Sequence, residues 1–294
     1  MIANPEVSVD ELVALARALA VTGRSAIAAE LARAAATPAG LEIHTKSSPS
    51  DFVTAADLAS EEAILAHLDR TRPDDEVLAE ESGSRPGTTP WRWLVDPVDG
   101  TMNFVHGRRD HAVSVGVEPI EEGPTPAGQH AVAGAIALPA TCEVFWGSGL
   151  EAFVDDGTVV DATSATDRET TGARRVQVSR CDRLADAIIG VGYPRGEDAR
   201  ANAHSWFGLL LAEIRDYRRL GSSACDLVNV ANGTQDGYVA FGVLPWDVGG
   251  GFALVRAAGG QASWIRTISG RDVAVAGTDE VFAALAERVA VCEV

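Results

Sequence analysis

One short stretch constrains this chain more than any other: Trp93-Leu94-Val95-Asp96-Pro97-Val98-Asp99-Gly100-Thr101-Met102-Asn103-Phe104. An apolar run ends in an acid, a proline follows, and a second acid stands three places after the first. The order predicts a strand, Trp93 to Val95, that delivers Asp96 and Asp99 to its carboxyl end. Gly100-Thr101 then opens a helix whose bare backbone N–H groups face outward. Carboxylates hold a divalent cation and N–H groups hold an anion, which together are the minimum for metal-assisted phosphate chemistry.

With 294 residues, 46% of them hydrophobic, the chain can bury one large core or two closely packed halves. Its 42 acids against 24 Lys+Arg give a formal charge of −18. That charge argues against nonspecific binding to nucleic acid or to an anionic membrane. It would also repel an anionic substrate, so an acidic enzyme acting on phosphates needs local positive charge, and bound metal is its simplest source. Cys142, Cys181, Cys225 and Cys292 lie far apart with no CxxC pair, a spacing that suits neither a zinc site nor a disulfide framework. Reduced, mostly buried thiols are expected. The first residues lack the pattern of a signal peptide, and no run of about 18 apolar residues is evident, so a soluble, cytoplasmic protein is expected.

Along the chain, Ser8-Val9-Asp10-Glu11 is a capping box, and Leu12, Leu15, Ala16, Leu19 and Ile27 follow on one helical stripe. A short strand is expected over 41–45, then the polar loop 46–50, then a helix opening at Asp51 and running to about Leu68. Glu76 to Ala79 reads as a strand ending in Glu80-Glu81. Further strands are predicted over 111–118, 131–138 and 143–146. The polar segment 155–172 is the best candidate for a boundary, giving an α+β half (1–165) with most of the site acids and an α/β half (166–294), packed as one compact unit. In the second half the pattern predicts strands at 188–191, 237–241, 262–265 and 273–276. Helices are predicted at 199–214, 223–231, from Asp247, and 279–289.

Glu80, Glu81, Asp96, Asp99, Asp57 and Asp247 each fall where a strand stops or a helix starts, where side chains can converge on a crevice. Any one of them alone reads as a cap or a solvated surface group; the cluster is what points to a site. Asp96 and Asp99 can share metals, with the Val98 carbonyl as a further oxygen ligand, and an all-oxygen donor set favours Mg²⁺. An aspartyl-nucleophile phosphatase would want acids at i and i+2, whereas position 97 is proline. No Cys-x5-Arg loop exists. Attack by a metal-activated water is the better fit. His106 and His111 lack metal-spacing partners and read as structural, and Trp91, Trp93 and Trp246 read as core anchors.

These residues resemble the inositol monophosphatase family. The likeness rests on Asp96-Pro97-Val98-Asp99-Gly100-Thr101 with Asn103-Phe104, Glu80-Glu81-Ser82 before it, Trp246-Asp247-Val248-Gly249-Gly250 far downstream, and Lys46-Ser47-Ser48-Pro49-x-Asp51-x-Val53-Thr54-x-x-Asp57 as a first motif. Several separate motifs in order make the match specific. It implies an α+β fold, a layered α-β-α-β-α sandwich of the inositol monophosphatase and fructose-1,6-bisphosphatase type, and Mg²⁺-dependent, lithium-sensitive hydrolysis of a phosphate monoester. Carried over by position, Glu80, Asp96 and the Val98 carbonyl would hold one metal and Asp96, Asp99 and Asp247 a second, with a third near Glu80. Thr101, bonded to Asp57, would orient the attacking water, and the Gly100 and Thr101 N–H groups would grip the phosphate. Lys46 would lend charge beside it. Gly221-Ser222-Ser223 keeps the family's small-residue turn facing a polyol, and Arg195, in Gly192-Tyr193-Pro194-Arg195, would reach a second anionic group. Glu81 reads as structural, since it points away from Glu80 in an extended chain.

One departure concerns the substrate. The acid that contacts ring hydroxyls in inositol-hydrolysing members is replaced here by Ala240. The first expectation is inositol 1-phosphate or a similar polyol phosphate, with histidinol phosphate, fructose 1,6-bisphosphate and 3′-phosphoadenosine 5′-phosphate as alternatives. From another class, the alternative is a regulatory binding protein of the transcription machinery. The resemblance also implies a homodimer.

Overall fold

The computed structural model describes residues 7–37, 41–45, 52–121, 126–149, 151–155, 172–194 and 197–293. Helix α1 (Val9–Ala35) starts at the capping box foreseen at Ser8: the Ser8 hydroxyl accepts from the Glu11 N–H and the Glu11 carboxylate takes the Ser8 N–H. By length and composition α1 is apolar enough to cross a membrane, which corrects the expectation that no such run exists. Its apolar stripe, Leu12, Ala16, Leu19 and Ile27, is instead buried in the core.

Strands β1 (Ile43–Thr45) and β2 (Phe52–Thr54) form an antiparallel pair. Because Phe52–Thr54 is held in that ladder, α2 (Ala55–Thr71) begins at Thr54 as N-cap and not at Asp51. The main sheet then collects β3 (Glu76–Ala79), β4 (Gly83–Arg85), β5 (Trp91–Asp99), β6 (Ala112–Pro119), β7 (Ala133–Leu138), β8 (Glu143–Ser148), β9 (Glu151–Asp155) and β10 (Arg174–Val176) in the order β10-β9-β8-β7-β6-β5-β3-β4. The five-residue helix α3 (Thr101–Val105) follows β5 directly. A second sheet, ordered β12-β11-β13-β15-β14, holds β11 (Ile188–Gly192), β12 (Asp216–Arg218), β13 (Gly237–Phe241), β14 (Gln261–Arg266) and β15 (Asp272–Gly277). Its helices are α4 (Glu197–Leu210), α5 (Ser223–Ala231), α6 (Pro245–Ala257) and α7 (Asp279–Ala290). The predicted helix 199–214 thus stops at Leu210, and the chain turns into β12. Pro245, whose missing N–H costs nothing in a first turn, starts α6 two residues before Asp247.

Alternation along the strands sorts side chains into two faces per sheet. Val113, Val115 and Val117 pack with α1 and α2 in one cluster, while Ala112 and Ile136 on the opposite face join α5, α6, Tyr238 and Ala240 in a second. Val239 and Phe241 turn the other way into a third cluster with α4 and α7. Five layers result, α1/α2, main sheet, α5/α6, second sheet, α4/α7, which is the α-β-α-β-α sandwich expected. A buried ion pair staples the first layers: Arg17 of α1 donates two hydrogen bonds, both 2.9 Å, to Asp155 of β9. Trp93 is fully buried and Trp91 packs at the edge of the core, but Trp246 is only half-buried. The four cysteines are free thiols; Cys225 and Cys292 are buried, whereas Cys142, in the β7–β8 turn, is exposed.

Candidate active site

The sequence places Asp96 and Asp99 beyond the end of a strand. The structure keeps them inside β5, which runs to Asp99. Residues i and i+3 of a regular strand face opposite sides, so a plain strand would separate the two acids. Between them β5 carries a bulge: Asp96 pairs with Ser114 and Asp99 with Ala112, so that Pro97 and Val98 stand opposite the single residue Val113. The extra residue returns Asp99 to the face of Asp96. Pro97 is tolerated there because the parallel partner β3 ends its pairing at Val95. The Ser60 hydroxyl of α2 donates to the Pro97 carbonyl at 3.0 Å and fixes the bulge from the opposite layer.

Asp247 arrives from α6 on the facing layer. Asp96, Asp99 and Asp247 bring one carboxylate oxygen each within 4.8 Å of one another. Three glycines let α6 lie this low. A methyl group on Gly250 would stand 2.8 Å from the Val115 carbonyl oxygen and 2.9 Å from Ser114 Oγ, so only hydrogen fits. Glu80, in the turn after β3, hydrogen-bonds Asp96. Sequence reasoning missed the residue that shapes this turn: Glu61 of α2 is buried, and its carboxylate accepts the Glu81 and Ser82 N–H groups at 2.9 and 2.8 Å. An acid in mid-helix gives no sequence signal of that role.

Burial, then the neighbouring Glu80, Asp99 and Asp247, hold the Asp96 carboxyl well above its ordinary range. Burial and Asp247 push Asp99 up to about 7, against the opposing hydrogen bonds from Ser222 and Ala224. Crowded oxygens whose charges oppose one another are a donor set for a hard divalent cation.

Across from the acids, the Thr101 hydroxyl lies 3.1 Å from Asp57 Oδ1 and 3.1 Å from the Val98 carbonyl. Asp57 is fully buried; its other oxygen accepts the Thr54 N–H at 2.9 Å and the Thr54 hydroxyl at 2.5 Å. Burial raises its pKa, and these hydrogen bonds oppose the rise. With both donors of Thr54 engaged, Asp57 is fixed as the acceptor for Thr101. Gly100 has φ 89°, and an added Cβ would meet the Asp110 carbonyl at 2.9 Å and Ser222 Cβ at 3.1 Å. That conformation and that closeness both require glycine.

The Gly221-Ser222-Ser223 turn lies against this cradle, but its hydroxyls have other partners. Ser222 Oγ donates to Asp99 Oδ2 at 2.6 Å and accepts the Cys225 N–H as the cap of α5; the Ala224 N–H also reaches Asp99 Oδ2 at 2.6 Å. Ser222 therefore positions Asp99. Ser223 Oγ accepts from the buried Tyr238 hydroxyl at 2.8 Å. The parallel strands β12, β11 and β13 end beside this turn with Arg219, Tyr193 and Ala240, and the Arg219 guanidinium stands 5.7 Å from the centre of the Tyr193 ring. Ala240 is fully buried in the apolar layer. Lys46 and Arg195 lie outside the described residues. His111 is held by Arg108 and packs edge-on against Phe104, a structural role.

The model of the inositol monophosphatase family matches residues 9–290. The chain belongs to that family. It is 37% identical over 218 residues to an inositol-1-monophosphatase of Mesorhizobium japonicum, covering 73% of each chain. It is 32% identical over 212 residues to a fructose-1,6-bisphosphatase/inositol-1-monophosphatase of Aquifex aeolicus, covering 71% of each. Among solved structures it is similar to the extragenic suppressor protein suhB of Bartonella henselae, with a TM-score of 0.74 at 28% identity over 92% of this chain and 95% of that one. As a member of the inositol monophosphatase family the protein is a metal-dependent phosphoric monoester hydrolase.

Proposed function

We propose that the protein hydrolyses the phosphate monoester of a small polyol or sugar with Mg²⁺, two or three ions per site, held by Glu80, Asp96, the Val98 carbonyl, Asp99 and Asp247. The observation that carries this reading is the convergence of Asp96, Asp99 and Asp247 within 4.8 Å, facing the Thr101–Asp57 pair. Bound Mg²⁺ would supply an activated water and stabilise the leaving oxygen. The chain's own groups do the rest. Asp57 takes the Thr101 hydroxyl proton into a hydrogen bond, leaving the Thr101 oxygen lone pairs to orient a water. The Gly100 and Thr101 N–H groups receive the phosphate, and Lys46, the sole lysine of the chain, adds charge beside it.

Ala240 offers no carboxylate to ring hydroxyls, while the exposed Arg219, 5.7 Å from the centre of the Tyr193 ring, forms no salt bridge with a described acid and has one guanidinium nitrogen 3.6 Å from the point where a Cβ on Gly221 would be, in the turn that holds Asp99. Both features favour a substrate with a second anionic group over plain inositol 1-phosphate. Phosphate release is to be measured with Mg²⁺ on inositol 1-phosphate, histidinol phosphate, fructose 1,6-bisphosphate and 3′-phosphoadenosine 5′-phosphate. The bisphosphates are expected to give the highest kcat/KM. Arg219→Ala is expected to raise their KM about tenfold, the loss of one charge-assisted hydrogen bond. A preference for inositol 1-phosphate, with Arg219→Ala silent, would reject the second anionic group and leave the metal chemistry standing.

A further inference from the structure

The surroundings of Ser114 are unusual for a residue of an apolar interlayer. It sits in mid-strand on β6, is completely buried, and its hydroxyl has no hydrogen-bond partner. The residues two before and two after it on the same face are Ala112 and Gly116, as an apolar interlayer requires. A buried hydroxyl without a partner costs free energy that alanine would not. What distinguishes position 114 is its neighbours. It is paired directly opposite Asp96 in the β5–β6 ladder, so the two side chains stand side by side on one face. From the other layer, Ser114 Oγ lies 2.9 Å from the point where a Cβ on Gly250 would be, and Gly250 follows Asp247 by one helical turn, on the same face of α6. The orphan hydroxyl is thus wedged between the strand that carries one acid and the helix that carries another.

We propose that Ser114 is a positioning residue of the metal site, whose hydroxyl donates, directly or through one buried water, to the Asp96 carboxylate once that carboxylate ligates a cation. This rests on the metal reading above and adds a donor that the sequence motifs do not mark. A carboxylate that binds a cation through one oxygen keeps lone pairs that need a donor, and partners of this kind orient the ligand and hold its geometry. The Val98 N–H already fills one such place, at 3.1 Å from Asp96 Oδ1. Among the described residues, the Ser114 hydroxyl is a buried donor on that face with no other partner.

The test is Mg²⁺ binding without substrate, by calorimetry and by the Mg²⁺-induced rise in melting temperature, for wild type, Ser114→Ala and Ser114→Cys. Ser114→Ala is expected to melt in EDTA no lower than wild type and to bind Mg²⁺ about tenfold more weakly or worse. Ser114→Cys, which keeps a weak donor, is expected to fall between the two. A lower melting temperature in EDTA with unchanged Mg²⁺ affinity would assign Ser114 to packing and overturn the proposal. If the wild type itself binds no Mg²⁺, the metal reading fails and this role with it; equal affinities in wild type and both variants would overturn this role alone.

Discussion

The buried acids of the site work against the fold until a cation joins them. Burial and Asp247 push Asp99 up to about 7. A carboxyl whose folded pKa exceeds its unfolded value near 4 holds more protons in the native state between those two values, so its stabilising contribution is full below about pH 4 and is lost as pH rises toward about 7. In EDTA the melting temperature is therefore expected to fall across that window, and Asp99→Asn, which still accepts from Ser222 and Ala224, should flatten the fall. Saturating Mg²⁺ should cancel it. A pH-independent wild-type melt in EDTA would contradict this. At this scale the sequence was most readable where residues sit in dense motifs: Asp96, Asp99, Thr101, Asp57, Glu80 and Asp247 all converge. It was least readable where a role depends on a distant contact. Ser222 meets Asp99 across 123 residues, and nothing near Ser222 signals that its hydroxyl is already engaged. Glu61 and Ser114 have ordinary local contexts and acquire meaning only through what packs on them.

Among the elements, α6 and the bulge in β5 decide whether the acids meet. Gly250 touches β6 so closely that a methyl group would press on the Val115 carbonyl, a backbone atom that cannot swing aside. Gly250→Ala is expected to cost about 1–3 kcal/mol of stability and to weaken Mg²⁺ binding by lifting Asp247 away from Asp96. Unchanged Mg²⁺ affinity in that variant would mean that the height of α6 does not set the site. The long periodic helix α1 was legible from its stripe and its capping box. The three-residue strands β4, β10 and β12 carry too few residues for a period to show. Pro97 read as a strand stop, because proline usually marks an edge or an end; the third option, a bulge within the strand, is what the chain uses.

For the whole molecule, the layer order came from the family resemblance and not from periodicity, since alternating strands and helices fit several sandwiches. The Arg17–Asp155 pair, 138 residues apart, ties α1 to β9, the strand next to the β10 edge of the main sheet. Arg17→Ala would leave Asp155 buried without its cation, though still bonded to Trp146 at 2.8 Å. It is expected to lower stability by about 3–5 kcal/mol while leaving KM unchanged at temperatures where the variant is folded. A rise in KM would show that α1 reaches the site. The formal charge of −18 places the whole surface against an anionic substrate, and it is the metal that reverses the local sign. The most direct measurement of that claim is release of inorganic phosphate, with and without Mg²⁺, by wild type and by Asp96→Asn confirmed as folded by circular dichroism. The account predicts Mg²⁺-dependent release by the wild type and none by Asp96→Asn; equal release by both, or release undiminished in EDTA, would contradict it.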